Sequence, residues 1–338
     1  MTPLPEFNRR IVLKSRPLDL PAPENFNIEL APHRELAPDE VRVRVLYVAL
    51  SPWQGQRLKD FKNYTTPFAI GELIDCDVLG EVVEAGRDAA SQLKIGTQVT
   101  GRLGWQEYAV AKPGDLLAVT DAFEPTLWLT ALSSPGLTAY CAMDLFGRPM
   151  PGQTLVVTSA AGAVGGYAVQ LGKLAGMNVV GIAGGREKTR YVVERLGADH
   201  CVDHSSAQFA RELAMVLPHG VNLFFDTVGG AIADTVFDNL AKYAQVLIVG
   251  RTVSNNSDRP DLDPINMRQL WAREASIQGF SRYSYPERWK FARDCMAHLC
   301  RRGAISSNHN EVAGFENTPA ALRDMLSGKF IGKVLVRY

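Results

Sequence analysis

The sequence predicts an α/β protein in which a doubly wound parallel sheet follows a strand-rich region, and three observations carry that prediction. Apolar strands and helices alternate from Leu127 onward. Residues 9 to 125 read instead as short strands separated by proline and glycine turns. Between the first strand of the alternating region and its helix lies a loop of small residues spaced Ala160-x-Gly162-x-x-Gly165. A run of strands followed by strand-helix alternation means two architectures in one chain. At 338 residues the chain is long enough for two cores.

In the strand-rich region, Arg10 to Ser15 reads as a strand, and Pro17, Pro21 and Pro23 bar helix from the stretch after it. Val41 to Val48 alternates apolar and charged residues, the period of a half-exposed strand. Val78 to Ala85 and Thr97 to Thr100 continue the pattern, with glycines at the turns, and Trp105 to Val110 is a further strand. Helical segments begin near Pro125, so the boundary is expected there.

The α/β region opens with a helix over Leu137 to Phe146, after Pro135-Gly136. Leu155 to Val157 is an apolar strand after the turn pair Pro151-Gly152. The next helix opens near Val164, carries Val164, Tyr167, Ala168, Leu171 and Leu174 at helical spacing, and stops at Gly176. Val179 to Ala183 is the second strand, and it closes a strand-helix-strand crossover. Then come a helix over Lys188 to Leu196 ended by Gly197, a strand over Cys201 to Asp203, and a helix over Phe209 to Leu217. Val221 to Asp226 is a strand, Ala231 to Leu240 a helix and Gln245 to Gly250 a strand. Pro264 to Glu274 is helical and Ser276 to Phe280 is the sixth strand. Ligands of such sheets lie at the carboxyl ends of the strands. The loops at Ser159 to Val164, Gly184 to Lys188, Thr227 to Gly229, Gly250 to Asn256 and Phe280 to Tyr285 should therefore face one ligand.

That ligand is expected to be a dinucleotide. Small residues let a pyrophosphate approach the backbone, and the amides at a helix N-terminus make an anion site. An NAD site wants a carboxylate about twenty residues past the loop to take the ribose hydroxyls. This chain reads Gly184-Gly185-Arg186-Glu187-Lys188 there. Glycine leaves room for a 2′-phosphate, and Arg186 and Lys188 supply positive charge within reach, which favours NADP over NAD.

Composition limits the remaining classes. Equal counts of 36 basic and 36 acidic residues give no support for nucleic-acid or anionic-membrane binding. No run of eighteen apolar residues occurs and the opening MTPLPEFNRR has no signal-like apolar core, so a cytoplasmic location is expected. Five scattered cysteines suit reduced thiols better than a disulfide framework or a structural zinc site. His200 and His204 are four apart, which suits a metal only on a helix, and they span an expected strand.

Several phrases together carry a family resemblance: NRRIVLKSRP with PENF soon after, GWQEYAV, SAAGAVGG, GIAGGREK and the closing SGKFIGKVLV. Over nearly its whole length the chain resembles the zinc-independent medium-chain dehydrogenase/reductases, and within them the prostaglandin, alkenal and curcumin reductase group. The resemblance implies a barrel-like (GroES-like) β-rich catalytic domain made from both chain ends, residues 1–125 and 306–338, around a Rossmann NADP-binding domain over 126–305. It further implies NADPH as reductant, a homodimer, and a small enone or enal as substrate, whose carbon-carbon double bond is reduced by hydride transfer to the β-carbon. No metal is required. Zinc-dependent relatives have a cysteine near Ser51, a histidine in the segment Asp75 to Glu81, and four clustered cysteines, none of which this chain carries.

Residue by residue, the resemblance gives Ala161, Gly162, Ala163 and Val164 to the pyrophosphate, Lys188 to the 2′-phosphate, Gly250 to the turn after the fifth strand, and Phe280 to the surroundings of the nicotinamide. Gly184, Arg186 and Asn256 complete the expected cofactor set. Other positions depart from the family. His204 replaces a tyrosine beside the adenosine phosphate, Thr227 an asparagine, and Phe330 an asparagine. Asn255 stands where the family has the tyrosine thought to support the enolate oxygen; it is expected to be the catalytic donor, with Tyr64 and Trp53 lining the substrate cleft. Trp53 itself stands where the family has Asp-Pro-Tyr and this chain Ser51-Pro52-Trp53. Quinone reduction, and a non-catalytic NADP-binding regulator, remain as alternatives.

Overall fold

A computed structural model gives the arrangement of residues 4–60, 65–120, 122–252 and 266–338. The chain forms two compact units, one of Met1–Leu129 with His309–Tyr338 and the other of Thr130–Asn308.

The first unit is built on a seven-stranded sheet. Its strands are β3 (Val41–Leu50), β4 (Asp77–Ala85), β5 (Gln98–Arg102), β6 (Tyr108–Ala111), β7 (Leu117–Ala118), β14 (His309–Ala313) and β15 (Lys333–Arg337). Their order is β14-β15-β3-β4-β5-β7, with β6 also on β3. β1 (Phe7–Leu13) and β2 (Phe26–Pro32) make a separate antiparallel pair, Leu13 opposite Phe26. The strands expected at 10–15, 41–48, 78–85, 97–100 and 105–110 correspond to β1, β3, β4, β5 and β6, displaced by a few residues at their ends. β2 was not expected: every second residue of Phe26–Pro32 is apolar, but Ile28 and Leu30 are exposed, so no core selects the pattern in advance. β15 pairs antiparallel with β3, Val336 opposite Val48, so the C-terminal strands extend the N-terminal sheet. The core beneath is apolar and closely filled by Ile11, Leu50, Phe68, Val78 and Trp105, all without solvent contact.

The second unit holds a six-stranded sheet in the order β10-β9-β8-β11-β12-β13. These are β8 (Thr154–Val157), β9 (Asn178–Ala183), β10 (His200–Asp203), β11 (Val221–Asp226), β12 (Leu240–Ile248) and β13 (Ser276–Gly279). Every pairing is parallel. Numbered along the chain this is 3-2-1-4-5-6, the Rossmann order. The interior strands read as unbroken apolar runs, LVV in β8 and VVGIA in β9, because helices cover both faces. α2 (Ser134–Ala142) precedes the sheet; α3 (Gly165–Leu174) follows β8, α4 (Arg186–Glu194) follows β9, α5 (Phe209–Met215) follows β10 and α6 (Gly230–Phe237) follows β11. A further helix, Met267–Arg273, precedes β13, and Trp289–Arg301 ends the unit. β12 starts five residues earlier than the apolar pattern indicates. Its opening, Leu240 to Ala244, is buried only at its two ends, with Lys242 and Tyr243 exposed between them, and the pairing with β11 shifts register there, so the apolar pattern is not continuous.

Candidate functional site

The chain leaves β8 towards β9 on one side and returns to β11 on the other, so a crevice opens between the carboxyl ends of β8 and β11. Two side chains fix those ends to each other. The Thr158 hydroxyl donates to Asp226 Oδ1 at 2.8 Å, and Thr227 N donates back to Thr158 Oγ1 at 2.9 Å. Oδ1 also accepts from Val228 N at 2.9 Å and Gly229 N at 3.1 Å. One oxygen thereby shapes the whole Thr227–Gly229 turn. Asp226 is fully buried, and burial pushes its carboxyl above the usual range. Its other oxygen faces the Arg251 guanidinium at 3.7 Å.

The small-residue loop follows Thr158. Ser159 adopts a left-handed φ of 48°, which turns the chain sharply out of β8. Gly162 N then donates to Ser159 O at 2.8 Å, and Gly166 N to Gly162 O at 3.0 Å. A Cβ on Gly165 would lie 2.3 Å from Ser159 O, so only glycine lets α3 start against the strand end. A Cβ on Gly172 would lie 2.4 Å from a Leu155 methyl carbon, which presses the next two turns of α3 onto β8. Ala161, Gly162, Ala163 and Val164 thus form one tight turn leading into the N-terminus of α3. Helix starts leave amides without intrahelical partners, and such amides receive anions.

At the end of β9, Gly184 lies against His204: a Cβ there would be 2.9 Å from the imidazole Nε2. Gly185 has φ 84° and caps α4, a conformation that favours glycine. Asp203, at the end of β10, holds this corner by accepting from Gly185 N at 2.9 Å and from Ser205 Oγ at 2.6 Å. Those hydrogen bonds hold its carboxyl below its ordinary range. Arg186 is exposed in the first turn of α4, and Lys188 is half-buried one step further, where burial lowers its ammonium pKa. A half-buried ammonium is a site whose charged form gains from an anion.

Across the crevice, Thr227 spends its hydroxyl on Thr158 O at 3.3 Å, and its carbonyl accepts from Thr252 N at 3.1 Å. Gly250 N donates to Asp226 O at 3.2 Å, which brings the turn after β12 beside the turn after β11. Phe280, just past β13, is buried; its ring stacks on Tyr285 with centroids 5.9 Å apart and meets Phe146 edge-on at 6.1 Å. Thr158, Asp226 and Asp203 were not singled out from the sequence. The available signal was a lone acid closing each of two apolar strands, at HCVD and VNLFFD.

In the first unit, Trp53 stands on α1 (Pro52–Leu58), the indole flanked by the guanidinium carbons of Arg102 at 4.6 Å and Arg57 at 5.9 Å. Asp75 bridges both arginines: Arg102 Nε donates to its Oδ2 at 2.5 Å and Arg57 at 3.4 Å. Asp75 is still pushed above the usual carboxylate range, because burial outweighs the two cations. At the start of α1, the buried Lys333 ammonium donates to Ser51 Oγ at 2.7 Å. Phe330, where the family has asparagine, packs on the apolar core of this unit. Tyr64, Asn255 and Asn256 lie outside the described residues. The described site residues thus fall into two groups. Ala161, Gly162, Ala163, Val164, Gly184, Arg186, Lys188, His204, Thr227, Gly250 and Phe280 all follow carboxyl ends of the parallel sheet, and Trp53 belongs to the first unit.

Comparisons with known proteins bear on both groups. Residues 9–119 match a family model described as the N-terminal domain of oxidoreductase, and residues 163–298 match one described as zinc-binding dehydrogenase. The chain is 35% identical over 337 residues to the NADPH-dependent curcumin reductase of Escherichia coli (strain K12), covering 98% of this chain and 96% of that protein. It is 27% identical to the NADP(+)-dependent 2-alkenal reductase of Nicotiana tabacum, covering 97% of each. The crystal structure of CurA from Vibrio vulnificus in complex with NADPH superposes with a TM-score of 0.91 at 34% identity, covering 97% of this chain and 98% of that one. Among the described residues no group of three or more histidine, cysteine, aspartate or glutamate side chains is placed to hold the metal that the second family description names. The Ser51 hydroxyl faces an ammonium, and the Cys76 thiol is fully buried, with its pKa pushed far up by burial.

Proposed function

We propose that this chain, which belongs to the zinc-independent alkenal, curcumin and prostaglandin reductase group of the medium-chain dehydrogenase/reductases, uses NADPH to reduce the carbon-carbon double bond of small α,β-unsaturated ketones or aldehydes. The observation that carries the reading is the end of β9: Gly184, Gly185 and a half-buried Lys188 stand where an NAD site would place a carboxylate. They do so in a chain whose full-length relatives are named as NADPH- or NADP-dependent reductases.

The residues fit the cofactor. The turn Ala161 to Val164 and the α3 N-terminus would hold its pyrophosphate, Lys188 and Arg186 its 2′-phosphate, and His204 would border the adenosine end. The Thr227 and Gly250 turns, fixed by Asp226, would line the nicotinamide half. When bound, the nicotinamide supplies a hydride to the β-carbon of the acceptor. The protein then has to orient the acceptor and stabilise the enolate oxygen until a proton reaches the α-carbon. Asn255 is proposed for that oxygen through its side-chain amide, a weaker and shorter donor than the tyrosine of the family. Trp53 and Tyr64 are proposed to line the acceptor cleft, and the working form is proposed to be a cytoplasmic homodimer.

Oxidation of NADPH and of NADH by the purified protein, measured over a panel of enones, enals and quinones, tests the reading. Enone-dependent NADPH oxidation, with NADH far weaker, is expected, followed by its loss in Asn255→Ala. NADPH binding with no turnover of any acceptor would overturn the reductase reading in favour of a regulator, and turnover confined to quinones would replace the acceptor class.

A further inference from the structure

The chain passes between its two units at Leu129–Thr130 and again at Asn308–His309. Both passages are held by side chains of the helices that follow β8 and β9. The Tyr167 hydroxyl on α3 pairs with Ser307 Oγ at 2.8 Å, and Ser307 Oγ donates to Thr130 Oγ1 at 2.9 Å, so one tyrosine reaches both passages. Gln170, one turn further along α3, clamps the neighbouring backbone. Its Oε1 accepts from Ser306 N at 2.8 Å, and its Nε2 donates to Ser306 O at 3.1 Å. On α4 the half-buried Tyr191 hydroxyl interacts with the Asn308 side chain. Thr130, Tyr167 and Gln170 are buried, whereas Ser306 and Asn308 are exposed, so the clasp is shielded from water on its helix side only.

None of this follows from packing alone. A helix held only against its sheet needs no hydroxyl or amide aimed at a passage more than a hundred residues away, and an apolar side chain would fill the same space without the cost of desolvation. The two helices so tied are also the two proposed to carry phosphates: α3 at its N-terminus, and α4 through Lys188.

We infer that Tyr167, Gln170 and Tyr191 are positioning residues that couple occupancy of the dinucleotide site to the order of both passages. Binding at the starts of α3 and α4 stiffens those helices, and the clasp passes that order to residues 129–131 and 305–309. Because coupling is reciprocal, ordered passages in turn favour binding. The inference rests on the NADPH reading above.

Hydrogen exchange of the full-length protein tests it, with and without saturating NADPH, on peptides spanning the two passages. In the wild type, NADPH is expected to slow exchange there by about fivefold or more. In the Tyr167→Phe, Tyr191→Phe double variant the rings and their packing stay, and NADPH affinity is expected to remain within about threefold while the slowing at the passages is lost. Ser307→Ala should reproduce the loss and Ser307→Thr should restore it, which also serves if the double variant does not fold. Passages that do not respond to NADPH in the wild type, or that respond equally in the variants, would overturn the coupling. A direct NADPH titration separates the two proposals. Absence of binding overturns both, whereas binding without acceptor turnover removes only the reductase reading and leaves the exchange result decisive.

Discussion

Thr158 and Asp226 join the carboxyl ends of β8 and β11 across the crevice by a 2.8 Å hydrogen bond, and neither side chain reaches solvent. Thr158→Val keeps the shape and removes the hydroxyl, which deprives Oδ1 of one donor and leaves Thr227 N without its acceptor. A loss of roughly 2 kcal/mol is expected, the cost of leaving buried polar groups unpaired, with weaker NADPH binding beside it. Urea denaturation checks it, and an unchanged midpoint would refute the role.

The buried Asp226 also sets a pH dependence. Its folded-state pKa is raised above the ordinary 3.8, so the native state holds the proton more tightly than the unfolded chain. Its contribution is therefore most favourable below 3.8 and is lost as pH rises from there through the folded-state value. Asp226→Asn is neutral at every pH and lacks this loss. The stability of the variant relative to wild type should thus be greater near pH 7 than near about pH 4, measured as the difference in denaturation free energy. A difference that shrinks with rising pH contradicts the assignment.

Gly165 and Gly114 make a matched pair. A Cβ on Gly165 would sit 2.3 Å from Ser159 O, whereas one on Gly114 meets nothing within 4 Å. Gly165→Ala should cost on the order of 2 kcal/mol and displace the start of α3. Gly114→Ala should stay within about 0.5 kcal/mol of wild type. Thermal melts together with NADPH titration read both effects, and equal melting points would remove the steric account.

Lys188→Ala should separate the two nicotinamide dinucleotides. Losing a charge-assisted contact to the 2′-phosphate is expected to weaken NADPH by about tenfold to a hundredfold while changing NADH little. Parallel fluorescence titrations decide it, and an equal loss for both cofactors would move Lys188 off the 2′-phosphate.

Trp53, flanked by Arg57 and Arg102, offers a fixed aromatic face. Trp53→Ala is expected to raise the acceptor KM by about tenfold, the order of one lost aromatic contact, with the NADPH Kd unmoved. A change in NADPH Kd with no change in acceptor KM would place the indole elsewhere.

The alternating half was the more legible because its signals are local. Val221–Asp226 is bounded as expected, since a strand buried on both faces is largely apolar and a turn-rich stretch closes it. The glycine loop and Gly184-Gly185 were legible for a related reason: a backbone that must turn sharply or approach an anion restricts residue type at fixed spacing. The first unit was less legible. Arg57, Asp75 and Arg102 look like ordinary surface charges in sequence, and only their contacts with one another and with Trp53 distinguish them.

By itself the sequence determined the two architectures and the parallel sheet with its small-residue loop, and it pointed to NADP over NAD, because periodicity, small-residue spacing and the glycine pair in place of a carboxylate at the end of β9 act over a few residues. Only the tertiary structure decided that Thr158 meets Asp226, that Lys333 lies against Ser51, and that Tyr167 reaches Ser307 and through it Thr130. Those pairs are 68, 282 and 140 residues apart. A hydrogen bond between buried groups depends on where the fold brings two distant backbones, and no local pattern carries that information.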